Sequence, residues 1–279
     1  MKAKTLTCLS PAKLNLFLHV TGQRENGYHD IQTLFQLLDW GDTMTFTFSS
    51  TPGIHLARPI PGIAEEKNLI VRAARLLAAN ASLGVTIGIN KRIPLGGGLG
   101  GGSSNAATTL LALNQLWELG RSEEDLMRLG LELGADVPVF VQGSSAWAEG
   151  LGEVLTPVEL PPRWYVILSP SCHVSTAEIF AAPELTRNTA PITMSAFFAG
   201  EARNDLQPVV TARHPEVRNA LITLEKSAPA MMTGSGACVF ASAESEHDAK
   251  AIADTVPKEL RPVVAAGIER RPSFIASGE

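Results

Sequence analysis

The residues best suited to chemistry begin with PLGGGLGGGSSNAAT, 94–108, where six glycines stand directly before good helix formers. Glycine inside regular structure costs about 0.5–1 kcal/mol relative to alanine, so the cluster needs a local reason. Bare backbone N–H groups can approach phosphate oxygens, and the helix that follows adds open amides and a positive dipole end. Ser103 and Ser104 are good N-cap types, which puts the helix start near Ser103. The spacing Gly96-x-Gly98-x-x-Gly101 satisfies the dinucleotide fingerprint literally, a weak signal on its own. The acidic partner that motif needs falls near Glu118, inside or just past the helix rather than at the end of a parallel strand. No Lys-Ser or Lys-Thr follows the glycines, and the DFG and HRD triplets of protein kinases are absent. A flexible connector is the bland alternative, but connectors at a strand–helix junction are normally short. A polyphosphate is the best-matched ligand.

A second group of candidates lies away from the loop. KLNLFLHV, 13–20, alternates Leu14, Leu16, Leu18 and Val20 against Lys13, Asn15, Phe17 and His19, a polar set that a core does not explain. Lys13 is costly on such a segment unless it is paired or lies at a cleft; the alternative is an edge-strand lysine guarding against aggregation. Asp136 follows a helix end at Gly134 and reads by itself as a turn residue bonded to its own backbone. Tyr28 and His29 follow Asn26-Gly27, where a surface turn is the default. TGSGA, 233–237, is compatible with a plain hairpin turn.

The elements that must position these residues follow from periodicity. TMTFTF, 43–48, and VTIGI, 85–89, alternate as half-buried strands. Ile70, Ala73, Ala74 and Leu77 mark one helix, and Ala106, Leu110, Leu113 and Trp117 a second. A third opens at SEED, 122–125, buries Leu126, Leu129 and Leu133, and stops at Gly134. Strands are expected at Val139–Gln142 and Ala146–Glu149. After LPP, 160–162, strand WYVIL leads to a loop-rich insert with a short helix or two and a helix with Val217, Ala220, Leu221 and Leu224. Strands flanking TGSGA come next, then a helix with Ala249, Ile252 and Val256, and PVVAA closes the series. The order β-α-β-β-α-β is the split βαβ arrangement of a ferredoxin-like domain. The fold class is therefore α+β, with domains at 1–152 and 153–279 and the last residues free to return to the first. Clefts between domains are favoured ligand sites.

Composition sets the outer bounds. The chain has 279 residues, 45% hydrophobic and 18% charged, which excludes disorder as the main state. A net charge of -5 without a Lys/Arg cluster argues against nucleic acid as a partner. Three dispersed cysteines, no CxxC and scattered histidines fit a reduced cytoplasmic protein. Pro11 and Lys13 interrupt the N-terminal stretch before a signal-length apolar run develops. The uncharged run from Pro94 to Trp117 is half glycine, serine and asparagine, so no membrane span is expected.

Pro94 to Ala107 resembles the nucleotide loop of the GHMP kinases, whose usual core is Pro-x-x-x-Gly-Leu-Gly-Ser-Ser-Ala-Ala. Here Gly101, Gly102 and Asn105 are inserted, and SPAKLNLFL (10–18), NGYHD (26–30), GADVPVF (134–140) and TGSGACVF (233–240) are similar to the diphosphocytidyl-methylerythritol kinase branch, in order along essentially the whole chain. The resemblance implies a transferase that uses ATP and Mg²⁺ to phosphorylate the 2-hydroxyl of diphosphocytidyl-methylerythritol in non-mevalonate isoprenoid biosynthesis. It implies a ribosomal-protein-S5-like N-terminal domain, a ferredoxin-like C-terminal domain, and a monomer or weak homodimer. Asp136 becomes the catalytic carboxylate and Lys13 its ammonium neighbour. ATP falls to Lys91, Gly96, Gly97, Gly98, Leu99, Gly100, Gly101, Gly102, Ser103, Ser104 and Asn105. Substrate falls to Asn15, to Tyr28 and Phe180 sandwiching the cytosine, and to His29 at its edge. The TGSGA turn closes toward the active site and brings Thr233 and Ser235 near. The pattern assigns no metal ligand; Ser104 is one hydroxyl of suitable type.

Overall fold

The alternating segments form the strands they imply, and the helical periodicities form helices. The computed structural model describes residues 4–78 and 83–277, so residues 1–3 of the N-terminal stretch lie outside it. The first part of the chain runs β1 (Thr5–Gln23), β2 (His29–Ser49), β3 (Gly53–Leu56), α1 (Leu69–Leu77), β4 (Gly84–Asn90), α2 (Gly101–Leu116), α3 (Glu123–Leu133), α4 (Val137–Gln142), β5 (Ala146–Glu149) and β6 (Val154–Pro157). The second runs β7 (Trp164–Leu168), α5 (Thr176–Phe180), α6 (Met194–Phe198), α7 (Gln207–Arg213), α8 (Pro215–Glu225), β8 (Ala230–Met232), β9 (Val239–Ala243), α9 (Glu246–Asp254), β10 (Val263–Ile268) and β11 (Ile275–Ser277).

β2 organises the sheet. It pairs antiparallel with β1 along one edge, with β4 and β5 at different heights of the other, and with β10 through Leu38 and Leu37. The path β11-β1-β2-β10-β7-β9-β8 makes one sheet of strands from both ends of the chain. Within it, β10-β7-β9-β8 has the strand order of the split βαβ arrangement, and every pair is antiparallel. β11 pairs with β1, so the chain end returns to the first strand.

Three buried clusters hold this together. One packs α1, α2, α3 and α4 on β1, β2 and β4 through Phe35, Phe46, Ile70, Leu110 and Leu113. A second packs α7 and α8 on β7 and β9 through Val166, Val210, Leu221 and Val239. The third, with Leu14, Trp40, Leu99, Tyr165 and Phe240, takes residues from both parts of the chain.

Two expectations are corrected. Val139–Gln142 is not a strand but most of α4. Its valines read as β formers, yet Pro138 fits a first helical turn and Gly143, at φ +72°, ends the helix in the left-handed region. Burial against α3 decides between the two: Gly130 leaves room for Val137 where a Cβ would stand 2.8 Å away. Helix α2 starts at Gly101 rather than near Ser103, capped by the left-handed Gly100 without a side-chain bond. Val256 and Trp117 lie just beyond the ends of α9 and α2.

Candidate active site

Lys13 sits where β1 steps out of register with β2, between Pro11 and Lys13. Such a bulge re-aims the side chain. The result is an ammonium with only 4% of its side chain exposed, 3.2 Å from Asp136 Oδ2. Asp136 precedes α4 but makes no capping hydrogen bond, so its carboxylate is turned to Lys13 rather than to its own backbone. The Lys13 ammonium also donates to Asn15 Oδ1 and lies 5.2 Å from the centre of the Phe35 ring. Burial of a lysine costs several kcal/mol unless such partners are present. The edge-strand alternative for Lys13 is excluded by its burial between β2 and the loop.

Asn15 lines the same cleft, but its amide is committed: Oδ1 accepts from Lys13 and Nδ2 donates to Thr33 Oγ1 at 2.9 Å. Its backbone N–H donates to Thr233 Oγ1 at 2.9 Å. This ties β1 to the TGSGA turn. The turn lies against the glycine loop, and a Cβ on Gly98 would stand 2.2 Å from the Thr233 carbonyl oxygen. Ser235 lines the cleft and shares a 2.7 Å hydrogen bond with Thr176 at the start of α5.

The loop and helix α2 form the other wall. Lys13 N donates to Leu99 O at 3.1 Å, and a Cβ on Gly100 would meet the Lys13 side chain at 3.0 Å. Leu99 itself is buried in the shared core. The amide of Ser104 reaches Gly100 O at 2.8 Å, which leaves Gly101, Gly102 and Ser103 at the open N-terminal end of α2. Gly96 lies against His173 and Gly97 against Cys238. The side chains of Ser104 and Asn105 point away from this open end. Ser104 Oγ bonds Ser10 Oγ at 2.8 Å, and Asn105 Nδ2 donates to Ser10 Oγ and Asp42 Oδ2, each at 2.9 Å. Lys91 Nζ donates to Asp42 at 2.6 Å and to Asn105 at 3.2 Å. Fully buried Asp42 also accepts from the amides of Arg92 and Ile93 at 2.7 and 2.9 Å. This network braces the root of the loop, and the buried Ser104 hydroxyl is part of it.

The remaining candidates line the same cleft, about 630 Å³ in volume, together with Lys13, Asn15 and Asp136. A cleft of that size holds a drug-sized ligand. Tyr28 follows the Asn26-Gly27 turn, is 62% exposed, and stands at the cleft mouth. Phe180 ends α5, and its ring packs on His29 at 5.0 Å and 35°. Tyr28 and Phe180 line the same cleft. Sequence reasoning missed Arg187, which donates to His29 Nε2 at 3.0 Å and to three carbonyl oxygens of the chain around it. A lone arginine among polar residues carries no periodic signal, so only the fold shows its partners.

Profiles of the GHMP kinases N terminal domain and the GHMP kinases C terminal match residues 68–144 and 190–261. The chain is 52% identical over 274 residues to the 4-diphosphocytidyl-2-C-methyl-D-erythritol kinase of Marinobacter nauticus, covering 96% of each chain. It is 53% identical to the same-named kinase of Pseudomonas aeruginosa, covering 94% of each. A crystal structure of 4-(cytidine 5'-diphospho)-2C-methyl-D-erythritol kinase superposes with a TM-score of 0.82 at 34% identity, covering 94% of this chain and 99% of that one. With both domain profiles in order and these identities along nearly its full length, the chain belongs to the 4-diphosphocytidyl-2-C-methyl-D-erythritol kinase family of the GHMP kinases.

Proposed function

We propose that the protein transfers the terminal phosphoryl group of ATP to the 2-hydroxyl of 4-diphosphocytidyl-2-C-methyl-D-erythritol, a step of the methylerythritol phosphate route to isoprenoids. The observation that carries this reading is the pair of buried Lys13 with Asp136, set between an open glycine-rich helix start and a cleft lined by Tyr28, His29 and Phe180 among aliphatic and polar residues. Phosphoryl transfer relies chiefly on positioning and charge stabilisation, which this arrangement can supply. Asp136 accepts the hydrogen bond of the substrate hydroxyl and takes its proton as the new O–P bond forms and ADP leaves. Lys13 orients the Asp136 carboxylate and balances charge on the transferring group. Asn15, through its bond to Lys13, holds the ammonium in place.

The amides of Gly101, Gly102 and Ser103 receive the phosphates, with Gly96 to Gly100 allowing close backbone approach. Asp42 and Ser104 take part in the bracing network at the root of the loop. The residues at the loop fit an Mg²⁺ carried by the phosphates and water, which neutralises phosphate charge. Tyr28 and Phe180 cover the faces of the cytosine, where stacking contributes about 1–3 kcal/mol per base.

The same reading divides the chain near residue 153 and describes a cytoplasmic monomer or weak homodimer with a small-molecule substrate. In support, no helix among the described residues is long and apolar enough to cross a membrane, and Cys8, Cys172 and Cys238 are free. The test is Asp136→Asn in an ADP-release assay with the cytidylyl substrate. The expected result is a fall in kcat of about 10² or more with ATP affinity retained. Unchanged turnover removes Asp136 from the mechanism.

A further inference from the structure

Arg187 makes four hydrogen bonds through its guanidinium and no ion pair among the described residues. Its Nη2 donates to the carbonyls of Phe180 and Ala182, each at 2.8 Å, and its Nη1 to Leu185 O at 3.0 Å. Those three bonds fix the guanidinium plane within the segment that follows α5. The fourth donor, Nε, then meets His29 Nε2 at 3.0 Å. Arginine cannot give up its proton at any ordinary pH and has no acceptor atom. His29 Nε2 must therefore be the acceptor, and its proton must sit on Nδ1. Free histidine favours the opposite tautomer, so the bond imposes a choice on the ring.

We propose that Arg187 is a positioning residue that locks His29 as the neutral Nδ1–H tautomer, so that the cleft presents one hydrogen-bond donor to an acceptor on the pyrimidine edge of the substrate. The proposal rests on the cytidylyl reading above. Arg187 itself is outside the cleft lining while His29 is part of it, so the nitrogen left to the cleft is Nδ1. The donor stands beside the Phe180 ring, packed on His29 at 5.0 Å. The same arginine holds the Phe180 backbone, so it fixes the edge reader and one stacking face as a unit. Burial first, and the neighbouring Arg187 charge second, push His29 below its ordinary imidazole pKa, which keeps the ring neutral and its tautomer defined. A cytosine offers acceptors at O2 and N3, which a fixed donor can read. A ring free to exchange tautomers would present a lone pair to them part of the time.

The experiment uses the full chain with ¹⁵N-labelled histidine, comparing the wild type with Arg187→Met and Arg187→Lys. In ligand-free wild type, the proposal expects a protonated Nδ1 and an unprotonated Nε2 for His29. Arg187→Met is expected to shift His29 toward the Nε2–H form. It should also raise KM for the cytidylyl substrate about tenfold, the worth of one hydrogen bond, with kcat affected far less. Arg187→Lys, which keeps a donor and disturbs the fold least, should recover part of the tautomer signal. A wild-type His29 protonated on Nε2 overturns the proposal, as does Arg187→Met with the tautomer or KM unchanged. A purely structural role would lower thermal stability and leave the ¹⁵N pattern alone. The tautomer is read without substrate, so turnover of a different alcohol would defeat the functional reading and leave that signal intact.

Discussion

Lys13 and His19 lie on the same strand and show two ways a buried base is accommodated. Lys13 is paired with Asp136 and Asn15 and keeps a partner for its charge. His19 is 1% exposed, its Nδ1 has no hydrogen-bond partner among the described residues, and its Nε2 receives only a 3.4 Å bond from the Arg203 amide. Burial lowers its pKa, with nearby Asp205 opposing and Arg203 adding to the shift. The native state therefore binds this proton less readily than the unfolded chain does. Its stability contribution is complete above the unfolded value of about 6.5 and is lost as pH falls from there through the folded value. His19→Gln is expected to flatten that loss: between pH 7.5 and 5.5 its melting temperature should fall less than that of the wild type. Parallel falls would show that other groups carry the acid sensitivity.

At the scale of elements, the glycine loop separates into positions that the fold explains and one that it does not. Gly98, at φ +76°, faces the Thr233 backbone, Gly100 faces Phe140 and Lys13, and Gly101 faces Ile93 closely. Gly102 is exposed in the first turn of α2, and a Cβ there would meet only a Leu69 methyl at 3.4 Å. Alanine at such a position should favour the helix by about 0.5–1 kcal/mol. Gly102→Ala is therefore expected to hold or raise the melting temperature while raising KM for ATP, because in the proposed cradle the added methyl would stand where phosphate approaches. An unchanged KM would remove Gly102 from the cradle.

The loop's glycines, the strand alternation and the ferredoxin-like order were legible in the sequence because each follows from local periodicity or backbone demand. Helix α4 was not, since tertiary burial overrode the β preference of VPVFVQ. Nor were the internal roles of Ser104 and Asn105, whose partners Ser10 and Asp42 are more than 60 residues away. Arg187 was hidden for the same reason: its imidazole partner is 158 residues earlier.

At the scale of the whole molecule, the described strands form one sheet, with β11 on β1 and β10 bridging β2 to β7. The shared cluster around Leu99 and Phe240 fixes the glycine loop against the C-terminal strands. The cleft draws on β1 and the turn after it, on the start of α4, on α5 and on TGSGA, so no single segment carries it. Such a cleft can join a nucleotide loop to a specific acceptor site, and the choice of acceptor is the central claim. It is tested most directly by coupled ADP release with ATP and four alcohols in parallel: diphosphocytidyl-methylerythritol, mevalonate, homoserine and galactose. The account predicts rapid ADP release with the cytidylyl alcohol alone; release with one of the other three, or with none, would contradict it.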